Sequence, residues 1–102
     1  MIVEFVHYRV PPARAAAFEL AFYQGQAPLR AAPACVAADL TRDQSDEARY
    51  LVRLQWTDAD ERASFLHGGG GRVWRAAMAA YDDAIVQTEC HRPVQVFDRG
   101  CC

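Results

Sequence analysis

Between Ala34 and Trp56 the chain holds two strand-like runs joined by a polar turn, and this hairpin constrains the fold more than any other feature. The second run, Arg49 to Thr57, alternates strictly and puts Tyr50, Val52, Leu54 and Trp56 on one face of a strand. The first run, Cys35 to Thr41, reaches it through Asp43-Gln-Ser-Asp-Glu47.

The flanking segments complete the pattern. Ile2 to Val10 reads as a strand with Ile2, Val6, Tyr8 and Val10 on one face and Val3, Phe5, His7 and Arg9 on the other. Pro11-Pro12 stops it and seats a first helical turn, where a missing N–H costs nothing. The spacing of Ala15, Phe18 and Phe22 predicts a helix to about Tyr23, with Gly25 and Pro28 ending or kinking it. After the hairpin, Thr57-Asp-Ala-Asp60 resembles a capping box for a helix to about Leu66. Arg72 to Ile85 follows, with Trp74, Met78, Tyr81 and Ile85 on one stripe and Arg72, Arg75 and Asp82 turned away. The last strand is expected over Val86 to Phe97, interrupted by Pro93. The order β-α-β-β-α-β is the split arrangement of a ferredoxin-like α+β domain over residues 1–97, with 98–102 as a tail.

Composition closes off several function classes. The 102 residues suffice for one core. A net charge of −2 without a basic run excludes a nucleic-acid footprint. The sequence contains no lysine, so side-chain Schiff-base chemistry is absent. No run approaches membrane-spanning length and no leader is evident, which points to a cytoplasmic protein. The four cysteines form no C-x-x-C pair and no histidine stands at zinc-finger spacing, so no metal is expected. Cys35 and Cys90 read as small buried hydrophobes, and Cys101 and Cys102 as part of the tail. Strand one is apolar on both faces, yet the helices of a two-layer domain cover only one. A second copy of the chain is the simplest cover for the other.

Tyr8-Arg-Val10 before the helix turn, Leu29-Arg-Ala-Ala-Pro33, the Arg49-Tyr-Leu run ending in Trp56, and the helical aromatics Phe65 and Trp74 carry a resemblance. Across residues 1–97 the chain resembles the antibiotic biosynthesis monooxygenase family of dimeric α+β barrels. The resemblance implies a homodimer with sheets packed face to face and a pocket between sheet and helices in each subunit. It implies either cofactor-free oxidation of phenolic or quinol polyketides by dioxygen, or heme binding and degradation. The second is disfavoured, with no histidine between Gly68 and Glu89; the resemblance also implies a pocket asparagine in both branches, and the sequence has none, so cofactor-free oxidation lacks one expected donor.

Within that frame Trp74 and Met78 form a wall for a flat aromatic ligand, joined by Tyr8, Phe22 and Phe65. A stripe of this kind is more often plain core. His67 and Tyr81 are the candidate catalytic groups, His67 because an imidazole titrates near neutrality. Its plainer role is an imidazolium at a helix C-terminus. The four glycines at 68–71 read as a flexible linker, or a lid above the pocket. The expected function is a cofactor-independent monooxygenase acting on an electron-rich aromatic. The alternative is a non-enzymatic small-molecule-binding or stress-response module on the same fold.

Overall fold

The computed structural model of the protein describes residues 1–97; Cys101, Cys102 and the rest of the expected tail lie outside them. Strands β1 (Ile2–Arg9), β2 (Cys35–Arg42), β3 (Arg49–Trp56) and β4 (Ile85–His91) form one antiparallel sheet in the order β2-β3-β1-β4. Helices α1 (Pro12–Ala31), α2 (Ala59–His67) and α3 (Gly69–Met78) follow the expected positions, with a 3-10 turn at Ala79–Ala84. This is the α+β, ferredoxin-like βαββαβ architecture.

The alternation of β3 sets the layering. Tyr50, Val52, Leu54 and Trp56 are all buried, whereas Leu51, Arg53 and Gln55 on the other face are half-buried. The register Ile2↔Trp56 through Arg9↔Arg49 carries this pattern into β1, putting Glu4, Val6 and Tyr8 under the helices. All the helices cover this one face. The opposite face, with Val3, Phe5, His7 and Leu51, is left open and half-buried. There Arg53 donates to Asp39 at 2.9 and 2.6 Å. The Glu89 carboxylate sits 3.4 Å from both His7 and His91.

Several boundaries differ from expectation. Helix α1 continues unbroken through Gly25 and Pro28 to Ala31. Leu29, 1% exposed, anchors that last turn in the core. Gly25 continues the helix because it is the contact point with α3: a Cβ there would lie 2.9 Å from Trp74 Cε3. Asp58, not Thr57, caps α2, accepting from the Glu61 N–H at 2.7 Å. Strand β4 ends at His91, ahead of Pro93. Cys90 is exposed rather than buried, on the edge strand β4; Cys35 is half-buried.

The glycines correct the linker reading most. Gly69–Gly71 form the first turn of α3 itself, beginning directly where α2 ends. At Gly71 an added Cβ would sit 2.4 Å from the Phe65 carbonyl oxygen and 2.6 Å from Leu66 Cα, so two backbones are in contact there. This is a packed helix corner. Gly71→Ala is expected to cost about 2 kcal/mol or more, a fall in Tm of roughly 10 °C, because backbone atoms must move. Gly69→Ala, with nothing within 4 Å of the new Cβ, should leave Tm unchanged or slightly raised. Equal effects in thermal unfolding would contradict the packed corner.

Candidate functional site

A cavity of about 350 Å³ lies between the helix-facing side of the sheet and the α2–α3 pair. Glu4, Val6 and Tyr8 of β1, Val52 and Leu54 of β3, and Thr88 of β4 make its floor. Arg62 and Leu66 of α2 and Trp74, Arg75 and Met78 of α3 form its other walls, and Asp82 in the 3-10 turn stands at its edge. The volume suits a small multi-ring ligand. Two other clefts are more peripheral: about 300 Å³ between α1 and β2, and about 190 Å³ beside the β2–β3 turn. Neither gathers aromatic side chains from the helix layer as the first does.

An aromatic cluster positions the floor. Phe18, fully buried on α1, contacts Tyr8, Tyr50 and Tyr81, with ring centroids 4.9, 5.0 and 5.1 Å away. Tyr8 is only 5% exposed, and its hydroxyl has no hydrogen-bond partner among the described residues. Since no buried side-chain oxygen is left unpartnered, that hydroxyl opens to the cavity. Burial, then the negative charges of Asp82 and Glu4, push its pKa up to about 12. Tyr8 is thus a hydrogen-bond donor throughout the neutral range and a poor proton acceptor.

At the other end of the same strand face, Glu4 is held by two elements. Trp56 Nε1 donates to its Oε1 at 3.1 Å, and Arg62 donates from Nε and Nη2 to the two carboxylate oxygens at 3.0 Å each. The Glu4 bonds hold the Arg62 guanidinium above its ordinary pKa. This fork-to-carboxylate geometry ties α2 to the sheet, and Phe65 adds a ring contact with Trp56 at 5.3 Å. Helix α2 has no fully buried residue of its own.

The structure brings Tyr8, Trp74 and Met78 together in the cavity lining. Phe22 backs Trp74 edge-on at 5.8 Å, and Phe65 packs on Trp56. Tyr81 lies against Phe18 and under the Arg14 guanidinium, which is 4.9 Å from its ring centroid. His67 is exposed at the end of α2, its Nδ1 2.7 Å from the Ala63 carbonyl oxygen, and is not among the residues lining the cavity. That is the helix-terminal placement. Arg75 and Asp82, expected to turn away, are exposed but line the cavity rim. Glu4, Arg62, Asp82 and Thr88 are the polar groups that sequence reasoning did not single out. The available signal was Glu4, a charge set among Ile2, Val6 and Tyr8 on an otherwise apolar strand face.

Among the described residues no group of three or more His, Cys, Asp or Glu could hold a metal ion, and no helix is long and apolar enough to cross a membrane.

The raised pKa of Tyr8 has a measurable consequence. The folded value lies above the unfolded one, so the contribution of the neutral phenol is fully present below pH 10 and is lost as pH rises through about 12. Alkaline ultraviolet titration should show a last phenolic step near 12 that vanishes in Tyr8→Phe. A step near 12 that survives the substitution would mean that Tyr8 is not the group held there.

Comparison with known proteins matches this architecture. The family model described as antibiotic biosynthesis monooxygenase matches residues 1–80. A Caulobacter crescentus structure provisionally named for that activity is 28% identical, with TM-score 0.76, covering 92% of this chain and 90% of that one. A Bordetella bronchiseptica structure of the same provisional name is 23% identical, with TM-score 0.77 and coverages of 92% and 97%. SnoaB, a cofactor-independent oxygenase from Streptomyces nogalater solved as a point mutant, is 24% identical, with TM-score 0.76 and coverages of 93% and 95%. No curated protein matches the sequence. With the family match spanning most of its length, from the first strand through the walls of the cavity, the chain belongs to the antibiotic biosynthesis monooxygenase family.

Proposed function

We propose that the protein is a cofactor-independent monooxygenase that oxidises an electron-rich aromatic, a phenol or quinol of polyketide type, and works as a homodimer. The observation that supports this best is the cavity itself. It is an aromatic-walled space with a non-ionising donor, Tyr8, on its floor and a carboxylate, Asp82, at its rim. Family membership supplies the reaction class.

In this reading Asp82, whose carboxylate has no hydrogen-bond or ion-pair partner among the described residues, accepts the proton of the ligand hydroxyl. Tyr8 donates to the oxygen left behind, and Trp74 and Met78 hold the ring plane. Phe22 backs Trp74, while Phe65 packs on Trp56 and Tyr81 on Phe18. His67 stays at the helix end. The deprotonated ring delocalises charge onto carbon, and that carbon reduces dioxygen. For a ring methylene the balance closes without an external reductant. The carbon gives up four electrons, one oxygen atom becomes its carbonyl, and the other leaves as water with the two methylene hydrogens. The protein contributes desolvation, orientation and the proton acceptor.

A binding module using the same cavity is the second reading. It is favoured by one observation: among the described residues neither a histidine nor an asparagine lines the cavity. Dioxygen uptake by EDTA-treated protein, with anthrones and dihydroxynaphthalenes as substrates, separates the two. Uptake should require the protein, fall tenfold or more in Trp74→Ala, and largely survive in the better-packed Trp74→Phe. Uptake no faster than buffer across the panel would leave the binding module.

The homodimer rests on the open sheet face, where Val3, Phe5 and Leu51 stay half-exposed with no helix above them. Phe5→Glu, pointing into that face, should give a folded monomer in sedimentation velocity where the wild type sediments as a dimer. A wild type that is monomeric at micromolar concentration would refute the assembly.

A further inference from the structure

The Glu4–Arg62 pair does more than anchor a helix, because both residues also line the cavity. The carboxylate accepts three hydrogen bonds, two at Oε1 and one at Oε2, which leaves acceptor capacity at Oε2. The guanidinium has five N–H donors, and the two directed at Glu4 leave others unused. A carboxylate and a guanidinium side by side at a cavity wall match a group that donates and accepts at once. A hydroxyl does so; a carbonyl can only accept, and a carboxylate would be repelled by Glu4.

The position of the pair adds a length. Glu4 and Tyr8 share one face of β1 with only Val6 between them, so their Cα atoms are about 13 Å apart along the strand. Val6, Val52 and Leu54 make the intervening floor apolar. At the rim Arg75 and Asp82 carry opposite charges, so the entrance favours neither anion nor cation. The cavity is thus polar at two ends and apolar between them.

We propose that the Glu4–Arg62 pair is a specificity-determining station that reads a second hydroxyl at the far end of the ligand, opposite the oxygen held by Tyr8. The ligand class is an elongated, neutral, multi-ring aromatic with oxygen functions on both terminal rings. The inference rests on the cavity being the ligand site, as in the function proposed above, but needs no turnover.

The test uses equilibrium binding, followed by quenching of tryptophan fluorescence, with three fully oxidised probes that cannot react further. They are a monohydroxyanthraquinone, a dihydroxy isomer with its second hydroxyl on the opposite outer ring, and an isomer with both hydroxyls on one ring. The wild type should bind the opposite-ring isomer roughly five- to tenfold more tightly than the other two, the worth of one good hydrogen bond. The double variant Glu4→Leu with Arg62→Met replaces the pair by apolar groups of similar length, which protects the fold. It should bind all three probes alike, at the affinity of the wild type for the monohydroxy compound. Glu4→Gln alone should lower the ratio of affinities for the opposite-ring and monohydroxy probes. Equal binding of all three probes by the wild type, or a preference that survives the double variant, overturns the proposal while leaving the oxidation reading intact. Binding of none of them would overturn the aromatic-ligand reading as well.

Discussion

Phe18 meets three tyrosine rings from three separate elements: Tyr8 on β1, Tyr50 on β3 and Tyr81 in the 3-10 turn. That contact sets where α1 lies on the sheet and keeps Tyr8 from filling the space beside it. Edge-on and tilted ring pairs have a preferred geometry that aliphatic contacts lack, so the cluster fixes orientation as well as distance. One helical step further along α1, Phe22 braces Trp74, and Gly25 lets the backbone come within reach of the same indole. The wall of the cavity is therefore positioned by α1, although α1 contributes no residue to its lining.

Helix α2 depends on a different physics. It buries no residue fully, so apolar area alone holds it weakly. Its attachments are directional: the Arg62 fork on Glu4, the Phe65 ring on Trp56, and the backbone contact at Gly71. Directional contacts fix angle, and the angle of α2 decides whether Arg62 and Leu66 close the cavity. A partly buried ion pair gives little net stability, since desolvation offsets attraction. Its value here is geometric, which is why one pair can both hold a helix and present polar atoms to the cavity.

The fold was legible because its signals are local and periodic. The alternation through Tyr50, Val52, Leu54 and Trp56 identifies a half-covered strand without knowledge of its partners, and the Trp74–Met78–Tyr81 stripe identifies a core-facing segment. The misreadings occur where local chemistry permits two outcomes. A glycine run is equally compatible with a flexible linker and with a helix corner too tight for a Cβ, and only the distance to Leu66 decides. Gly25 and Pro28 carry a breaking tendency that the burial of Leu29 overrides. His67 drew notice through its side-chain type, while Glu4 and Arg62, separated by 58 positions, had no local pattern to connect them. Their pairing arises only once β1 lies inside the sheet, between β3 and β4, and α2 packs over it.

Adjacent residues on β1 divide the molecule's functions. Tyr8 and His7 are neighbours in sequence, yet the two-residue period of a strand sends Tyr8 into the cavity and His7 to the open face, where it meets Glu89. On the first side burial raises the pKa of the Tyr8 phenol; on the second, the His7 and His91 bonds lower that of the Glu89 carboxylate. The proposed ligand cavity and the proposed assembly face thus share a backbone but lie on opposite sides of the sheet. A substitution confined to the open face reaches the cavity only by moving the strand, and the strand is fixed by β3 and β4 on its two edges. The sheet therefore insulates the two faces from one another.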